Sequence, residues 1–314
     1  MSRLIKELAT HTGLTEVGVR RIAANAALRY KIYQIPKKDG GSREIAQPAR
    51  EVKALQRAIV DIYIKALPVH YAATAYQPGS SIFTNATRHI TNSAIAKFDF
   101  RNFFPSITSN DWIKYCIKND VFESIDDTLI SSQILFRKIP KHRTLRLSID
   151  APSSPIISNV LLYEFDHIIS EFAKMENITY TRYADDITCS APRMGYLVNV
   201  ERTIRRTLRD IPSPRLHLNP EKTIRITSKY RRSITGLIIT NQNKISIGRD
   251  KKRKLYSQIH YAINDKLSKS EILKLSGYLS YINAVEPAFL TRIDSKYGEG
   301  TVFRIRLMAS EHNF

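Results

Sequence analysis

Two adjacent aspartates, Asp185 and Asp186, stand in the segment TRYADDITCS at residues 181–190, which otherwise has the character of a strand pair. Aspartate is depleted in strands, and neighbouring carboxylates repel each other, so the pair does not stabilise a hairpin. A hairpin that carries both charges at its turn can present them on one edge of a sheet, where a cation would offset them. A solvated turn is the alternative for an isolated Asp-Asp pair.

A third carboxylate, Asp99, ends the apolar segment AIAKFD. Strand-end aspartates that converge can hold hard divalent cations, and Mg²⁺ takes few protein carboxylates while substrate phosphates complete its shell. Two such ions, about 3.5–4 Å apart, support phosphoryl transfer by activating an attacking hydroxyl and stabilising a leaving pyrophosphate. The three aspartates therefore predict a site for two Mg²⁺ ions.

The charge balance indicates a polyanionic partner. Lys and Arg number 49 against 29 Asp and Glu, which gives a net charge of +20. An excess of this size is typical of proteins that bind nucleic acid. A basic protein without a nucleic-acid role is the alternative.

Cysteine content and hydropathy narrow the class of protein. Two cysteines occur, Cys116 and Cys189, without a CxxC pair, which argues against a disulfide framework and a structural zinc site. The N-terminal residues include the charges of Arg3, Lys6 and Glu7, and no apolar run approaches the ~20 residues of a membrane span. We expect a soluble cytoplasmic protein with reduced thiols and no membrane partner.

Strand and helix patterns follow each other without regular βαβ alternation, which predicts an α+β fold. Residues 2–34 have the spacing of a helical hairpin, with a DNA-reading helix-turn-helix as the alternative. The segment YKIYQIPKKDGGSREIAQP predicts a β-hairpin with a basic tip that can reach phosphates. From Arg249 onward the pattern is helical and strongly basic, so we expect a domain boundary near Gly248.

The order of the motifs resembles that of reverse transcriptases. FDFRNFFPS and APSSP precede YADD, and LNPEKT and ITGL follow it, which is the family's order of motifs between about Lys31 and Gly248. Within that family the chain is most similar to bacterial retron enzymes, because NATRH resembles their NAxxH element and ITG resembles their VTG. The C-terminal segments GRDKKRKLYSQIHY and LSGYLSYINAVEP are similar to retron thumb segments.

The resemblance implies a right-hand polymerase architecture with fingers, palm and thumb. Residues 1–90 would form the N-terminal helices and fingers. Residues 91–248 would form the palm with the catalytic motifs, interrupted by a fingers insertion at about 109–145. Residues 249–314 would form a helical, RNA-binding thumb.

The resemblance also assigns roles at the active site. Asp99, Asp185 and Asp186 correspond to the catalytic, metal-binding aspartates, with Asp185 the better candidate for direct ligation. Phe100 would contribute its backbone carbonyl to the metals. Phe104 occupies the position of the steric gate that crowds a ribose 2′-OH and favours deoxynucleotides, although an ordinary core aromatic is equally consistent with the sequence.

Cations near these motifs are candidates for contact with the incoming nucleotide. Lys37 or Lys38, together with Arg43, would contact the triphosphate from the fingers hairpin, and a solvated charged turn is the alternative. Lys222 in LNPEKT matches a motif lysine that could aid departure of pyrophosphate. A helix-end lysine without a role is the competing interpretation.

One loop departs from the family pattern. Most relatives carry Pro-Gln-Gly ahead of the segment equivalent to APSSP, whereas this chain has Ser148, Ile149 and Asp150. Glycine allows a close approach of backbone to nucleotide or template, and an aspartate adds bulk and negative charge beside phosphates. Either the loop tolerates the change, or activity is lower or differently tuned.

The start of the predicted thumb combines cations with aromatic residues, which suits phosphate contacts and stacking on unpaired bases. A solvated basic helix is the alternative. The candidate RNA-binding residues are Arg249, Lys251, Lys252, Arg253, Lys254, Tyr256 and Tyr261.

The resemblance implies an enzyme that reverse transcribes part of a cognate structured non-coding RNA into single-stranded DNA from deoxynucleoside triphosphates. Synthesis would be primed from an RNA 2′-OH, and an effector protein encoded nearby would act with the enzyme in anti-phage defence. One alternative is another bacterial reverse transcriptase, of the group II intron or diversity-generating type, against which NATRH and the short C-terminal region argue. Another is a non-catalytic RNA-binding protein, supported only by Asp150 and opposed by the three aspartates.

Overall fold

The apolar spacing of the sequence becomes helices and short strands in the computed structural model, which describes residues 2–36 and 40–311. Within these residues the helices are α1 (Arg3–Thr12), α2 (Glu16–Asn25), α3 (Arg50–Ile59), α4 (Ile82–Thr87), α5 (Phe103–Ser106), α6 (Ser109–Lys118), α7 (Ile125–Leu135), α8 (Ser154–Leu161), α9 (Tyr163–Met175), α10 (Val200–Asp210), α11 (Arg249–Ile263), α12 (Lys269–Val285), α13 (Pro287–Tyr297) and α14 (Thr301–Glu311). The strands are β1 (Tyr30–Pro36), β2 (Ser42–Pro48), β3 (Ala94–Asp99), β4 (Thr179–Tyr183), β5 (Asp186–Ala191), β6 (Ile224–Thr227), β7 (Arg232–Ile234), β8 (Leu237–Ile239) and β9 (Ile245–Ser246). This mixture confirms the α+β class.

The chain divides into two compact units, each built from several chain segments. Unit 1 comprises Met1–Gly79, Ala96–Ala191 and Gly195–Arg225, and unit 2 comprises Ser80–Ile95, Pro192–Met194 and Ile226–Phe314. The subdivision into fingers, palm and thumb, with bounds at residues 90 and 248, concerns functional lobes and stays a prediction.

The helices α1 and α2 form the predicted helical hairpin at the start of unit 1. Ser2 caps α1 by accepting a hydrogen bond from the backbone N–H of Ile5, and Thr15 caps α2 through Gly18 in the same way. Gly13 ends α1 with a φ of 72°, which glycine adopts without steric cost. Local sequence therefore determines both helices and the turn between them.

The predicted β-hairpin between residues 30 and 48 is also present. β1 and β2 pair antiparallel along their whole length. Most of β1 is exposed, whereas Ile45 and Ala46 of β2 are buried. The tip residues Lys37 and Lys38 lie outside the described residues.

A four-stranded sheet has the order β4-β5-β3-β6. β4 and β5 form the hairpin predicted at residues 178–190, with Tyr183 opposite Asp186. β3 is an interior strand and is buried along nearly all its length, which agrees with its continuous apolar sequence because a strand covered on both faces has no polar alternation. Helix α9 packs against β4. This arrangement brings the end of β3 beside the turn of the β4-β5 hairpin.

Unit 2 has a core of its own, formed by the sheet β7-β8-β9 and the C-terminal helices. Ile234 and Leu237 of the sheet pack in one cluster with Leu255, Leu279 and Ile305 of α11, α12 and α14. The helical character predicted from residue 249 onward is thereby confirmed.

Both cysteines, Cys116 and Cys189, are buried and free. Burial raises the pKa of each thiol well above its usual value. Of the helices described, none combines the length and the apolar content that crossing a bilayer requires.

Candidate active site

The two adjacent aspartates lie where β4 turns into β5. Tyr183 ends β4 and Asp186 begins β5, so Ala184 and Asp185 form the turn. Ala184 has a φ of 56°. This left-handed conformation costs a non-glycine residue roughly 1–2 kcal/mol, so the surrounding structure has to hold it.

Asp99 meets this turn from the neighbouring strand. The backbone N–H of Phe100 donates to the carbonyl oxygen of Asp185 at 3.3 Å, which ties the end of β3 to the turn. The pKa of Asp185 is raised to about 6, first because the carboxyl is buried and then because Asp186 and Asp99 are negatively charged. The structure thus brings the three predicted carboxylates to one edge of the sheet, where they repel each other.

Lys222 supplies a cation to the same edge. Its Nζ lies 3.2 Å from Oδ1 and 3.1 Å from Oδ2 of Asp99. The helical turn Pro220–Lys222 is held there because the backbone N–H of Asn219 donates to the carbonyl oxygen of Asp99 at 2.7 Å. Burial lowers the pKa of Lys222, but the hydrogen bond and charge of Asp99 outweigh it, so the pKa is raised and the ammonium stays charged.

The chemistry of this edge suits a hard divalent cation. Carboxylate oxygens are ligands that Mg²⁺ prefers. Burial, and then the charge of Asp99, raises the pKa values of Asp185 and Asp186, although Lys97 and Lys222 act in the opposite direction. No three His, Cys, Asp or Glu side chains of the described residues are arranged closely enough to bind one ion, and the ammonium of Lys222 is paired with Asp99. Metal binding by the aspartates and the Phe100 carbonyl stays a prediction. The oxygen donors of these residues are of the type that Mg²⁺ binds.

A buried ion pair between Arg182 and Asp166 lies behind the turn. Both side chains are fully buried, with Nη2 of Arg182 2.6 Å from Oδ2 of Asp166 and Nε 2.9 Å from Oδ1. The hydroxyl of Tyr180 donates to Oδ1 of Asp166 at 2.6 Å. Three donors therefore satisfy one carboxylate that has no access to water.

The same arginine reaches the turn itself. Nη1 of Arg182 donates to the carbonyl oxygen of Ala184 at 3.0 Å and to Oδ1 of Asn159 at 3.1 Å. Asn159 in turn donates to the carbonyl oxygen of Ala75 at 2.9 Å. Arg182 thus fixes the residue with the left-handed φ. Sequence reasoning missed this network, although an arginine inside a strand otherwise buried is a signal for it.

Phe104 lines a pocket of about 420 Å³ rather than the core. The ring is half-buried and tilts against Phe103, with 5.1 Å between the ring centroids. The other walls include Tyr76, Lys53 and Arg57, and the two cations lie four residues apart on α3. These three residues were not identified from the sequence, because the pocket joins segments distant in the chain. The role of Phe104 as a steric gate stays a prediction.

The loop that departs from the family pattern lines the same pocket. Asp150 is exposed and has a φ of 84°, a conformation that suits glycine. The hydroxyl of Ser148 donates to the carbonyl oxygen of Ala46 at 2.8 Å, and the N–H of Ala46 donates to the carbonyl oxygen of Ile149 at 3.3 Å. These bonds hold the loop on β2.

Of the three candidate cations on the β1-β2 hairpin, Arg43 lies within the described residues. Arg43 is exposed on β2 opposite Ile35, close in sequence to the tip. Lys37 and Lys38 lie outside the described residues, so contact of these cations with a triphosphate stays a prediction.

The candidate RNA-binding residues of α11 do not share one environment. Lys252 forms an ion pair with Glu286 at 2.5 Å, and Tyr256 packs against the rings of Phe289 and Tyr297. These two residues therefore face the core of unit 2. The exposed residues are Arg249, Lys251, Arg253, Lys254 and Tyr261, of which Lys251 donates to the carbonyl oxygen of Gly236. RNA binding by either group stays a prediction.

Comparison with known proteins gives consistent matches over most of the chain. The family model described as reverse transcriptase (RNA-dependent DNA polymerase) matches residues 35–247. The retron Ec83 reverse transcriptase of Escherichia coli is 37% identical over 287 residues, covering 91% of this chain and 92% of that one. The retron Ec86 reverse transcriptase of the same species is 32% identical over 304 residues, covering 94% and 91%.

A solved structure is also similar in fold. Telomerase from Candida tropicalis, in complex with a TWJ fragment of telomeric RNA, superposes with a TM-score of 0.50 at 13% identity. The match covers 96% of this chain and 62% of the telomerase chain.

Proposed function

This chain belongs to the reverse transcriptase family, with retron enzymes as its relatives, and from that premise we propose that it copies part of a cognate structured non-coding RNA into single-stranded DNA. It is an RNA-directed DNA polymerase of polymerase fold. The observation that carries the proposal is the convergence of Asp99, Asp185 and Asp186 at one sheet edge beside Lys222. Priming from a 2′-OH of that RNA is part of the proposal.

The protein's own residues prepare the reaction. When Asp99, Asp185 and Asp186 bind a pair of Mg²⁺ ions, the metals supply activation of the attacking hydroxyl and stabilisation of the leaving pyrophosphate. Lys222 places an ammonium group at the same edge, where it can donate a hydrogen bond to a departing phosphate. The raised pKa of Lys222 keeps that group protonated at neutral pH.

Selection of the nucleotide belongs to the pocket beside this edge. Phe104 stands in its wall and would exclude a ribose 2′-OH by contact. Arg43, with Lys37 and Lys38, would bind the triphosphate from the hairpin. The deoxynucleoside triphosphates then lie between cations and an aromatic wall.

Choice of the RNA is assigned to unit 2. The exposed cations of α11 would contact phosphates of a stem-loop, and Tyr261, 47% exposed, would stack on an unpaired base. An effector protein encoded nearby would use the resulting RNA–DNA molecule in anti-phage defence.

The central test replaces Asp185 and Asp186 together by Asn. Because the change removes metal ligands and little bulk charge, we expect loss of DNA synthesis on an oligo(dT)-primed poly(rA) template, with RNA binding retained. Exposed Glu171→Gln is the matched control and should synthesise DNA like the wild type. Synthesis by the double variant above a few per cent of wild type would contradict the catalytic assignment.

Priming is tested on nucleic acid that copurifies with the full chain, expressed with its flanking DNA. We expect a covalent RNA–DNA molecule. RNase digestion should make it smaller but leave a short ribonucleotide branch attached to the DNA. DNA that carries no covalently attached RNA would contradict priming from a 2′-OH.

A further inference from the structure

Unit 1 carries a second concave surface, and Asp99, Asp185 and Asp186 are not among the residues that line it. It is a groove of about 940 Å³ between α10, the following segment 211–218, and Arg225 on β6. Its charged side chains belong to none of the motifs named in the sequence analysis, and Leu218 is the one lining residue that a motif, LNPEKT, shares. We refer to it as the arginine groove.

Cations dominate the lining of the arginine groove. Arg202, Arg205 and Arg209 follow each other at helical spacing and therefore share one face of α10. Arg215, His217 and Arg225 line the other walls. Five guanidinium groups thus surround one cavity.

A single carboxylate, Glu201, belongs to the lining. It pairs with Arg205 at 2.8 Å and with Arg225 at 2.6 Å. No carboxylate of the described residues forms an ion pair with the other three arginines, Arg202, Arg209 and Arg215, and all three are exposed. The groove therefore keeps a strong excess of positive charge that is open to a ligand.

The floor of the groove is apolar. Ile211, Leu216 and Leu218 are buried beneath it, and Leu208 lies at its side. Guanidinium groups bind phosphate oxygens in a planar, two-pronged geometry and stack on flat rings. A rim of arginines above an apolar floor thus suits phosphates joined to sugars and bases, because each part of a nucleotide meets a matching surface.

The arrangement also indicates a ligand with more than one phosphate. Arg202 and Arg209 lie seven residues apart on α10, which corresponds to about 10 Å along the helix axis. A single phosphate group does not span that distance, whereas a polynucleotide backbone does.

The wall of the groove continues into the candidate active site. The backbone N–H of Arg101 donates to the carbonyl oxygen of His217 at 2.8 Å, Leu218 forms a β-bridge with Phe100, and Asn219 donates to Asp99. The segment that supplies the groove wall is therefore hydrogen-bonded to the strand end that carries a catalytic carboxylate.

We propose that the arginine groove binds the phosphodiester backbone of a polynucleotide that the enzyme is copying or has made, and so extends its nucleic-acid contacts beyond the predicted thumb. The inference rests on the proposed function for the identity of that strand. Template RNA and product DNA share the backbone chemistry that the groove would bind.

The test measures binding of the full chain to fluorescein-labelled 30-nucleotide RNA, and to DNA of the same sequence, by anisotropy across a salt series. The variant is Arg202→Gln, Arg209→Gln, Arg215→Gln. We expect weaker binding and a slope of log K against log salt that is shallower by about 2 to 3, since three phosphate contacts are lost. The control Lys114→Gln, Lys118→Gln, Lys174→Gln removes three exposed cations of unit 1 outside the groove and should keep the wild-type slope.

A second variant has the opposite expected sign. Glu201→Gln removes the lining carboxylate and releases Arg205 and Arg225, so binding should strengthen. If the triple arginine variant loses more affinity for the RNA probe, the groove binds the template. If it loses more affinity for the DNA probe, the groove binds the product. A slope in the triple variant equal to that of the wild type, or an equal loss in the control, would overturn the proposal.

Thiol protection locates the contact independently. Both native cysteines are buried, so Val198→Cys at the groove rim, where the valine is 68% exposed, introduces one accessible thiol. Saturating RNA or DNA should slow its alkylation but not that of Met175→Cys, at a position 76% exposed outside the groove. Equal rates with and without nucleic acid at both positions would count against the groove, whereas absence of DNA synthesis by the wild type would refute the proposed function alone.

Discussion

Asp150 adopts a backbone conformation that suits glycine, and it stands where the resemblance to reverse transcriptases implies a glycine. It has a φ of 84° and lines the pocket, and the two residues before it, Ser148 and Ile149, are hydrogen-bonded to Ala46 on β2. The aspartate therefore combines backbone strain with a negative charge near the predicted position of a triphosphate.

We expect Asp150→Gly to raise the free energy of unfolding by about 0.5–1 kcal/mol, because relief of the left-handed strain exceeds the entropy that glycine adds. Removal of the charge should also lower the KM for dTTP on primed poly(rA). Asp120→Gly is the matched control: Asp120 is exposed with a φ of 48° but does not line the pocket. It should change stability in the same direction and leave KM unchanged. A KM that is unaffected in the Asp150 variant would show that the carboxylate does not act on the nucleotide.

Phe104 is the second residue whose environment makes a prediction. Because the ring lines the pocket, Phe104→Ala should admit a 2′-OH and reduce the preference for dTTP over UTP by roughly tenfold or more. Selectivity is measured as the ratio of kcat/KM values for the two nucleotides. Phe303→Ala, at an exposed position of α14, is the control. Unchanged selectivity would assign Phe104 to packing.

At the scale of elements, the β4-β5 hairpin depends on a partner in another element. Two strands and a short turn are encoded locally, but the left-handed φ of Ala184 is held by Arg182, whose charge is balanced by Asp166 on α9. Breaking a buried pair by removing one partner costs several kcal/mol, so conservative changes are the informative ones.

We expect Arg182→Lys to lower kcat more than its loss of stability explains, because lysine keeps a charge beside Asp166 but cannot also reach Ala184 and Asn159. Tyr180→Phe is the matched control, since it removes one hydrogen bond to Asp166 and leaves the turn contact intact. It should cost about 1–2 kcal/mol of stability with kcat nearly unchanged. If both variants lose activity in proportion to stability, the ion pair only stabilises the fold.

The NATRH element, which begins in α4 and continues past its end, serves packing. Asn85 and His89 of the NATRH element are both fully buried in unit 2. Burial, followed by the charge of Arg88, lowers the pKa of His89 to about 3, so the imidazole is neutral at physiological pH. The motif that pointed to a family therefore marks a core position.

At the scale of the whole molecule, unit 2 is the natural segment to exchange in a test of RNA choice. The helices α11–α14 share a core with β7–β9, so a chimera that begins at residue 249 would separate residues that pack together. Residues 80–95 pack in the same core, so they are exchanged as well. We expect exchange of residues 80–95 and 226–314 for the matching segments of the retron Ec83 relative to transfer the choice of RNA while synthesis on primed poly(rA) continues.

RNA choice is measured by binding and copying of each enzyme's own RNA. The smaller variant Arg253→Gln, Lys254→Gln keeps the core intact and should weaken binding of the cognate RNA. A chimera that synthesises DNA on poly(rA) but still copies only the original RNA would place specificity in the N-terminal helices or the hairpin.

The sequence by itself determined the elements and the chemistry available to them. Capping residues and Gly13 defined the first two helices, the basic hairpin followed from its turn residues, and the aspartates at 99, 185 and 186 were recognisable because strands rarely carry such charges. The ordered motifs then identified the family. These features are local, since each depends on residues within a few positions of one another.

Only the tertiary structure decided which side chains act together. Arg182 and Asp166, Phe104 and Asp150, and the arginines of the groove belong to segments whose contact depends on how helices and strands pack. The same holds for α11, where a uniform run of cations divides into Lys252, paired with Glu286, and neighbours that are exposed. Periodicity encodes a face, but the partner of that face is set by packing across the fold, and burial then determines the charge and strength of each contact.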